Sequence, residues 1–245
     1  GVATRVDLEY LRGQVIFLRA FFYAELLKHF GGVPILEHTL HFDSPELQQA
    51  ERATFDECVK YILEECDIAI AIFKSVNQDW AGNNFGRAND GVALALKAKV
   101  LALAASPLYN RPPHYPKYDE EDPNKELWRY PDYNKERWND AAKALKAVID
   151  MGRYDLYKKT NGTKSAYETY FVTRNTVEES IFPFLKGPSI DVYYNNLPFN
   201  FMLVRGKGSP VCYNLPTQDL VAAYEMKNGM LPEQEGSGFR PLHPF

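Results

Sequence analysis

Apolar residues along this chain recur mainly at helical spacing. Leu8, Leu11, Val15, Leu18, Phe22 and Leu26 follow at steps of three and four, which places them on one stripe of a helix over about Arg5–Phe30. Gly31-Gly32, with Pro34 just beyond, is the stop signal for that helix. A second helix starts at Thr54. Thr54-Phe55-Asp56-Glu57 fits a capping box, in which the Thr side chain takes one free N–H and Glu57 reaches back to another. Phe55, Val59, Ile62, Cys66, Ile70 and Phe73 form its inner stripe. A third helix starts near Asn89 as N-cap. A fourth runs from about Asn134 to Met151, with Trp138, Ala142, Leu145 and Ile149 expected inward and Gly152 as terminator. A fifth is expected from near Thr217 to Asn228-Gly229.

The third helix is apolar almost all round. It lies in Gly86–Asn110, GRANDGVALALKAKVLALAASPLYN, where Lys97 and Lys99 interrupt Ala, Val and Leu. Each lysine near the centre of a span would cost about 2.5–3.5 kcal/mol on insertion scales, and the apolar run is marginal in length for a bilayer. The reading is a helix buried among others, whose alanines let neighbours approach and whose lysines bury their stems and extend their ammonium groups to water.

Between the helices lie long irregular segments: 78–87, 108–133 and 158–215. Loops of that length in a compact domain usually carry function. The last has room for a few short strands, for example around Ser180-Ile181-Phe182. The class is therefore all-α with long irregular loops. At 245 residues, with 45% hydrophobic and 24% charged positions, the composition is globular. Net charge is -4 and no basic stripe stands out, which argues against nucleic acid as a partner. Cys58 and Cys66 lie eight residues apart on one helix, roughly 12 Å of rise and too far for a bridge, so they read as core thiols.

Enzyme signatures are thin. There is no G-x-S-x-G, Walker loop, H-E-x-x-H or dinucleotide fingerprint. Glu64-Glu65 reads as the solvated face of a helix and Asp119-Glu120-Glu121-Asp122 as a solvated loop. The latter lacks the EF-hand spacing for calcium. A glycosidase would need two carboxyls across a cleft, not adjacent in sequence. The histidines show no ligand spacing, so neither a metal nor a cofactor is expected.

Aromatic content is high, at 14%, and many of the rings lie in the loops: Trp80, Tyr109, Tyr115, Tyr118, Trp128, Tyr130, Tyr133, Tyr193, Tyr194 and Phe199. Asn83, Asn84, Asn110, Asn195, Asn196 and Asn200 stand beside them. Such a set suits sugars, whose C–H faces stack on rings while hydroxyls take directed hydrogen bonds. The same rings also serve to pin loops to a helical body. The candidate ligand-binding residues are Trp80, Tyr193, Tyr194, Asn195 and Asn196.

Five stretches, in this order, resemble the SusD/RagB family of outer-membrane nutrient-binding lipoproteins: FLRAFFYAELLKHFGGVPIL, RATFDECVKYILEECDIAI, the Gly86–Asn110 stretch, WNDAAKALKAVIDMGRYDLY and PTQDLVAAYEMKNG. The resemblance implies an all-α, tetratricopeptide-like superhelix with the ligand site on irregular loops. It implies a lipid-anchored protein on the bacterial outer membrane that binds a glycan or oligosaccharide without catalysis. A TonB-dependent, SusC-like transporter would be the partner, and the membrane would be reached through an N-terminal lipid anchor. Family members are much longer, so residues 1–245 are expected to form a single SusD-like helical domain truncated at both ends. The family's ligand residues have no fixed motif, so none is carried over. Two competing readings remain open: a helical-repeat protein–protein scaffold, and a glycosidase.

Overall fold

The computed structural model describes residues 4–76, 84–116, 119–173, 178–184 and 217–239. Among these the regular structure is helical: α1 Arg5–Phe30, α2 Pro45–Gln48, α3 Phe55–Val76, α4 Asp90–Ala105, α5 Glu136–Asp150, α6 Ala166–Val172 and α7 Gln218–Ala222, with a 3-10 turn at Lys125–Leu127. The chain divides into two units, Gly1–Phe184 and Leu185–Phe245. Among the described residues no helix is long and apolar enough to cross a membrane.

In the first unit α1 packs on α3, α3 on α4 and α4 on α5. The starts of α1, α3 and α4 follow side-chain capping. Thr4 and Asp7 form a capping box on α1. Thr54 and Glu57 do the same before α3, where the Thr54 amide donates to the Glu57 carboxylate at 2.8 Å and Glu57 N–H donates back to Thr54 Oγ1 at 3.2 Å. Asn89 caps α4 through Val92 N–H at 3.0 Å.

The core is built on α1, α3 and α4. Phe17, Leu27, Phe55, Ile62, Cys58 and Cys66 are among its most fully buried side chains. Burying a Phe, Leu or Ile of this kind stabilises by about 1.5–3 kcal/mol. Burial also pushes the Cys66 thiol up to about 12, so it stays protonated as a core thiol. The α3 stripe read from sequence faces inward, with Ile70 half-buried. In α4, Lys97 reaches Asp67 of α3 at 2.6 Å and keeps its stem in the packed layer.

Two stripes face the other way from a core role. On α1 the stripe Leu8, Leu11, Val15, Leu18, Phe22 and Leu26 is real but exposed, and the core takes Tyr10, Gly13, Ile16, Phe17, Ala20, Ala24 and Leu27. Small residues decide this: a Cβ on Gly13 would stand 2.8 Å from the Phe73 ring, so α3 lies too close for a larger side chain. On α5 the expected inner residues Trp138, Leu145 and Ile149 are exposed, Ala142 with them, and only Ala141 is fully buried. The helix rests on α4 by its alanines.

Two further expectations are corrected. Glu65 is not on a solvated face: it is buried and takes Arg19 of α1 through two bonds, at 2.6 and 2.7 Å. Residues 180–182 form no strand, and Phe182 instead sets its ring edge-on to Phe17 at 5.4 Å. In the second unit, Thr217 caps a helix that stops at Ala222, earlier than the sequence suggests. A tight turn follows, in which Met226 N–H donates to Met230 O at 2.7 Å.

The turn after α1 is the tightest point. A Cβ on Gly32 would lie 2.0 Å from the Ala53 carbonyl oxygen, and one on Gly31 would lie 2.2 Å from that of Leu127. Gly32→Ala should therefore lower stability by more than about 2 kcal/mol, the range of a severe steric defect. Urea unfolding followed by far-UV circular dichroism measures this, and an unchanged midpoint would contradict the crossing.

Candidate functional site

The segment between α4 and α5 builds a cleft of about 270 Å³. Its base is latched by Asn110, which is 1% exposed. The Asn110 side-chain oxygen accepts from Asn134 N–H at 2.9 Å and from Arg137 at 2.7 Å, while its amide donates to Asn134 O at 2.8 Å. Tyr109 stacks on Phe55 at 4.7 Å, and Tyr130 N–H donates to Tyr109 O at 3.1 Å. Both ends of the loop are thus fixed to the first turn of α3. The SPLYN motif acts as scaffold here.

The walls are stiff and polar. Pro112, Pro113 and Pro131 restrict the backbone, and Tyr115, Tyr130 and Tyr133 supply rings. Below them, Arg129 is 3% exposed. It donates to Asp119 at 3.4 Å, to Glu120 at 3.2 Å and to the Tyr130 carbonyl at 2.9 Å. Arg111 also pairs with Asp119 and lies 5.6 Å from the Tyr115 ring centre. This corrects the reading of Asp119–Asp122 as a solvated loop: Asp119 and Glu120 are the counter-charges of two arginines. Burial alone would raise the Asp119 pKa, but the two guanidinium groups outweigh it and hold the carboxyl below its ordinary range.

The aromatics divide by role. Tyr130 is buried, with the Arg137 guanidinium 3.6 Å above its ring, and burial pushes its phenol up to about 12. Tyr109 and Tyr130 therefore pin the loop. Tyr115 and Tyr133 line the cleft, and Tyr133 is exposed. Trp128 offers one exposed face, its other carrying Arg52 at 4.7 Å. The residues chosen from sequence, Trp80, Tyr193, Tyr194, Asn195 and Asn196, lie outside the described residues. Of the wider aromatic set the structure thus brings Tyr115, Tyr130 and Tyr133 together. Sequence reasoning missed Arg111, Arg129 and Asp119, and the alternation of Arg with an acidic run was the only signal for them.

Three cations, Arg111, Arg129 and Arg137, stand against three carboxylates, Asp119, Glu120 and Asp132. The cleft has no uncompensated charge among these groups. It offers hydroxyls, carbonyls and ring faces, which suit an uncharged polyhydroxyl ligand better than an ion. Its volume sits just below the usual range of about 300–1,000 Å³ for ligand pockets, which favours one small unit over a chain.

The depressed Asp119 pKa fixes a sign. Its contribution is complete above the unfolded value, about 3.9, and drains away as pH falls through the lower folded value. Asp119→Asn should cost about 1–3 kcal/mol at pH 6. The difference from wild type should shrink below pH 3.5 or thereabouts. Paired urea titrations at the two pH values check this, and a pH-independent difference would contradict the pairing.

Residues 2–101 match a family model, SusD-like_3, described as "Starch-binding associating with outer membrane". No curated protein matches the chain. The solved structure of BT4246 is similar, with a TM-score of 0.69 and 23% identity over 95% of this chain and 44% of that one. A SusD-like protein (BF3747) from Bacteroides fragilis is similar with a TM-score of 0.62 and 26% identity, over 94% of this chain and 38% of that one. The chain thus spans less than half the length of either structure. Residues 2–101 thus resemble the SusD-like family, and the chain shares the helical fold of these structures over nearly all its length.

Proposed function

We propose that this protein captures an oligosaccharide at the outer surface of a bacterium, without catalysis, and hands it to a TonB-dependent outer-membrane transporter. The observation that carries the reading is the SusD-like match over residues 2–101, whose description couples starch binding to the outer membrane. The described loop adds chemical support: a charge-balanced cleft with tyrosine rings on a rigid frame. On this reading Tyr115 and Tyr133 flank a sugar unit, and Trp80, Tyr193, Tyr194, Asn195 and Asn196 supply further stacking and amide contacts. A lipid anchor preceding the segment holds the protein in the membrane.

Each stacked ring would contribute on the order of 1 kcal/mol, by analogy with aromatic pairs. Single-site affinity is then weak, and tethering beside a transporter raises the effective concentration without new contacts. The test is a titration of the longer protein against a panel of neutral and acidic glycans, read by calorimetry, with a parallel hydrolysis assay. Binding of a neutral glycan without turnover is the expected result. Tyr133→Ala and Tyr194→Ala should each weaken it about fivefold or more, the equivalent of one stacking contact. Release of reducing ends, or silence across the panel, would overturn the reading.

A further inference from the structure

Two arginines of the cleft share a carboxylate. Arg111 and Arg129 both line the cleft, and both pair with Asp119. Asp119 Oδ1 accepts from Arg111 Nη1, and Asp119 Oδ2 accepts from Arg129 Nε at 3.4 Å. The two arginine side chains are 11% and 3% exposed, so this is a largely desolvated cluster and not a surface pair. Asp119 itself is not among the residues that line the cleft. Its neighbour Glu120 does line it, but divides between Arg129 at 3.2 Å and Lys125 at 3.8 Å.

Two guanidinium groups converging on one carboxylate form the donor set that recognises a uronate or a sulfate ester. In this chain the carboxylate is the chain's own. We infer that Asp119 sets the charge class of the ligand: it fills the anion seat of Arg111 and Arg129 from within the loop and confines the cleft to uncharged sugars, a restriction that rests on the reading of the cleft as a sugar site. An acidic sugar would have to displace Asp119 and leave that carboxylate half-buried without its partners. Entering beside it, the sugar would meet Glu120 and Asp132 as like charges. A neutral unit incurs neither cost and uses the faces of Tyr115 and Tyr133. Burial works against the charge on Asp119, yet Arg111 and Arg129 hold its carboxyl below the ordinary range, so the seat stays filled at neutral pH. Asp119 is thus a positioning residue that acts on the ligand through the two arginines.

The experiment titrates the longer protein with galactose and with galacturonate, which differ in a hydroxymethyl against a carboxylate group. Ligand-observed NMR at neutral pH and constant ionic strength reads the affinities, and circular dichroism confirms folding. Wild type should bind galacturonate no better than galactose. Asp119→Ala, and Asp119→Asn as the variant that keeps the side-chain volume, should each raise galacturonate affinity at least about tenfold, the equivalent of one charge-assisted pair, with no matching gain for galactose. Adding Arg111→Gln to Asp119→Ala should abolish the gain, which a purely structural role for Asp119 would not predict. Galacturonate bound by wild type as tightly as by the variants, or no gain in a folded variant, would overturn the inference. A galacturonate gain in the variants of a protein that ignores every neutral glycan would support the anion seat and overturn the neutral-sugar reading instead.

Discussion

The backbone crossing at Gly31-Gly32-Val33 is the constraint on which the rest of the first unit hangs. Here the end of α1, the lead-in to α3 and the loop after α4 meet at main-chain distance. Gly32 N–H donates to Leu127 O at 2.6 Å, and Ala53 N–H donates to Val33 O at 3.2 Å. Arg52 straps the turn by donating to Gly32 O and Phe30 O, each at 2.7 Å, while its face covers Trp128. Val33 N–H even uses the Cys58 sulfur as acceptor at 3.4 Å. None of this leaves room for a side chain on either glycine. Backbone contacts of this type fix relative position more firmly than side-chain packing, because no rotamer can absorb an error. The register of α1 against α3, and the height at which the loop crosses them, follow from it.

That height explains the cleft. The 3-10 turn at Lys125–Leu127 is held by Gly32, so Trp128 to Tyr133 must cross the start of α3, where Phe55 receives Tyr109 and Tyr130. A loop spanning residues 111–133 would ordinarily cost much conformational entropy. Here it is divided into short pieces by Gly32, Asn110 and Arg129, each of which fixes backbone groups as well as side chains. Arg129 could not be buried without Asp119 and Glu120, and those carboxylates would repel each other without it. The described parts of the loop are held together by these anchors, which is what the proposed binding surface would require.

Much of this was legible in the sequence, and the boundary is physical. Helix starts at Thr54 and Asn89 were readable because a cap is a local device, set by residues three apart. The stop at Gly31-Gly32 was readable for the same reason. The inner stripe of α3 was also clear, because that helix is apolar on one side only. In α1 both sides are apolar, and periodicity names a stripe without saying which stripe meets the core. The larger side chains drew attention, while Gly13, Ala20 and Ala24, which permit the close approach, gave no signal. For α5 the same bias promoted Trp138 and Ile149 over Ala141. The pairings of Glu65 with Arg19 and of Asp119 with Arg129 join positions that no local pattern relates. The choice of Trp80 and of residues 193–196 falls outside what the structure describes, while Tyr115 and Tyr133 came from the wider aromatic set.

The division of labour that results bears on how such a protein can change its ligand. The core is confined to α1, α3 and α4, and the cleft residues reach it through a few anchors: Asn110, Tyr109, Tyr130 and the glycine turn. Tyr115 and Tyr133 stand outside that set, on backbone held by prolines and by the arginine–carboxylate cluster. Substitutions at those two positions alter ring faces and hydroxyls without opening a cavity, since neither packs in the core. Substitutions at Asn110 or Gly32 act on the frame and so on every contact at once. On the proposed reading, a fold arranged in this way separates the residues that would specify a ligand from those that hold the surface in place, which is why a fixed ligand motif is not to be expected in its sequence.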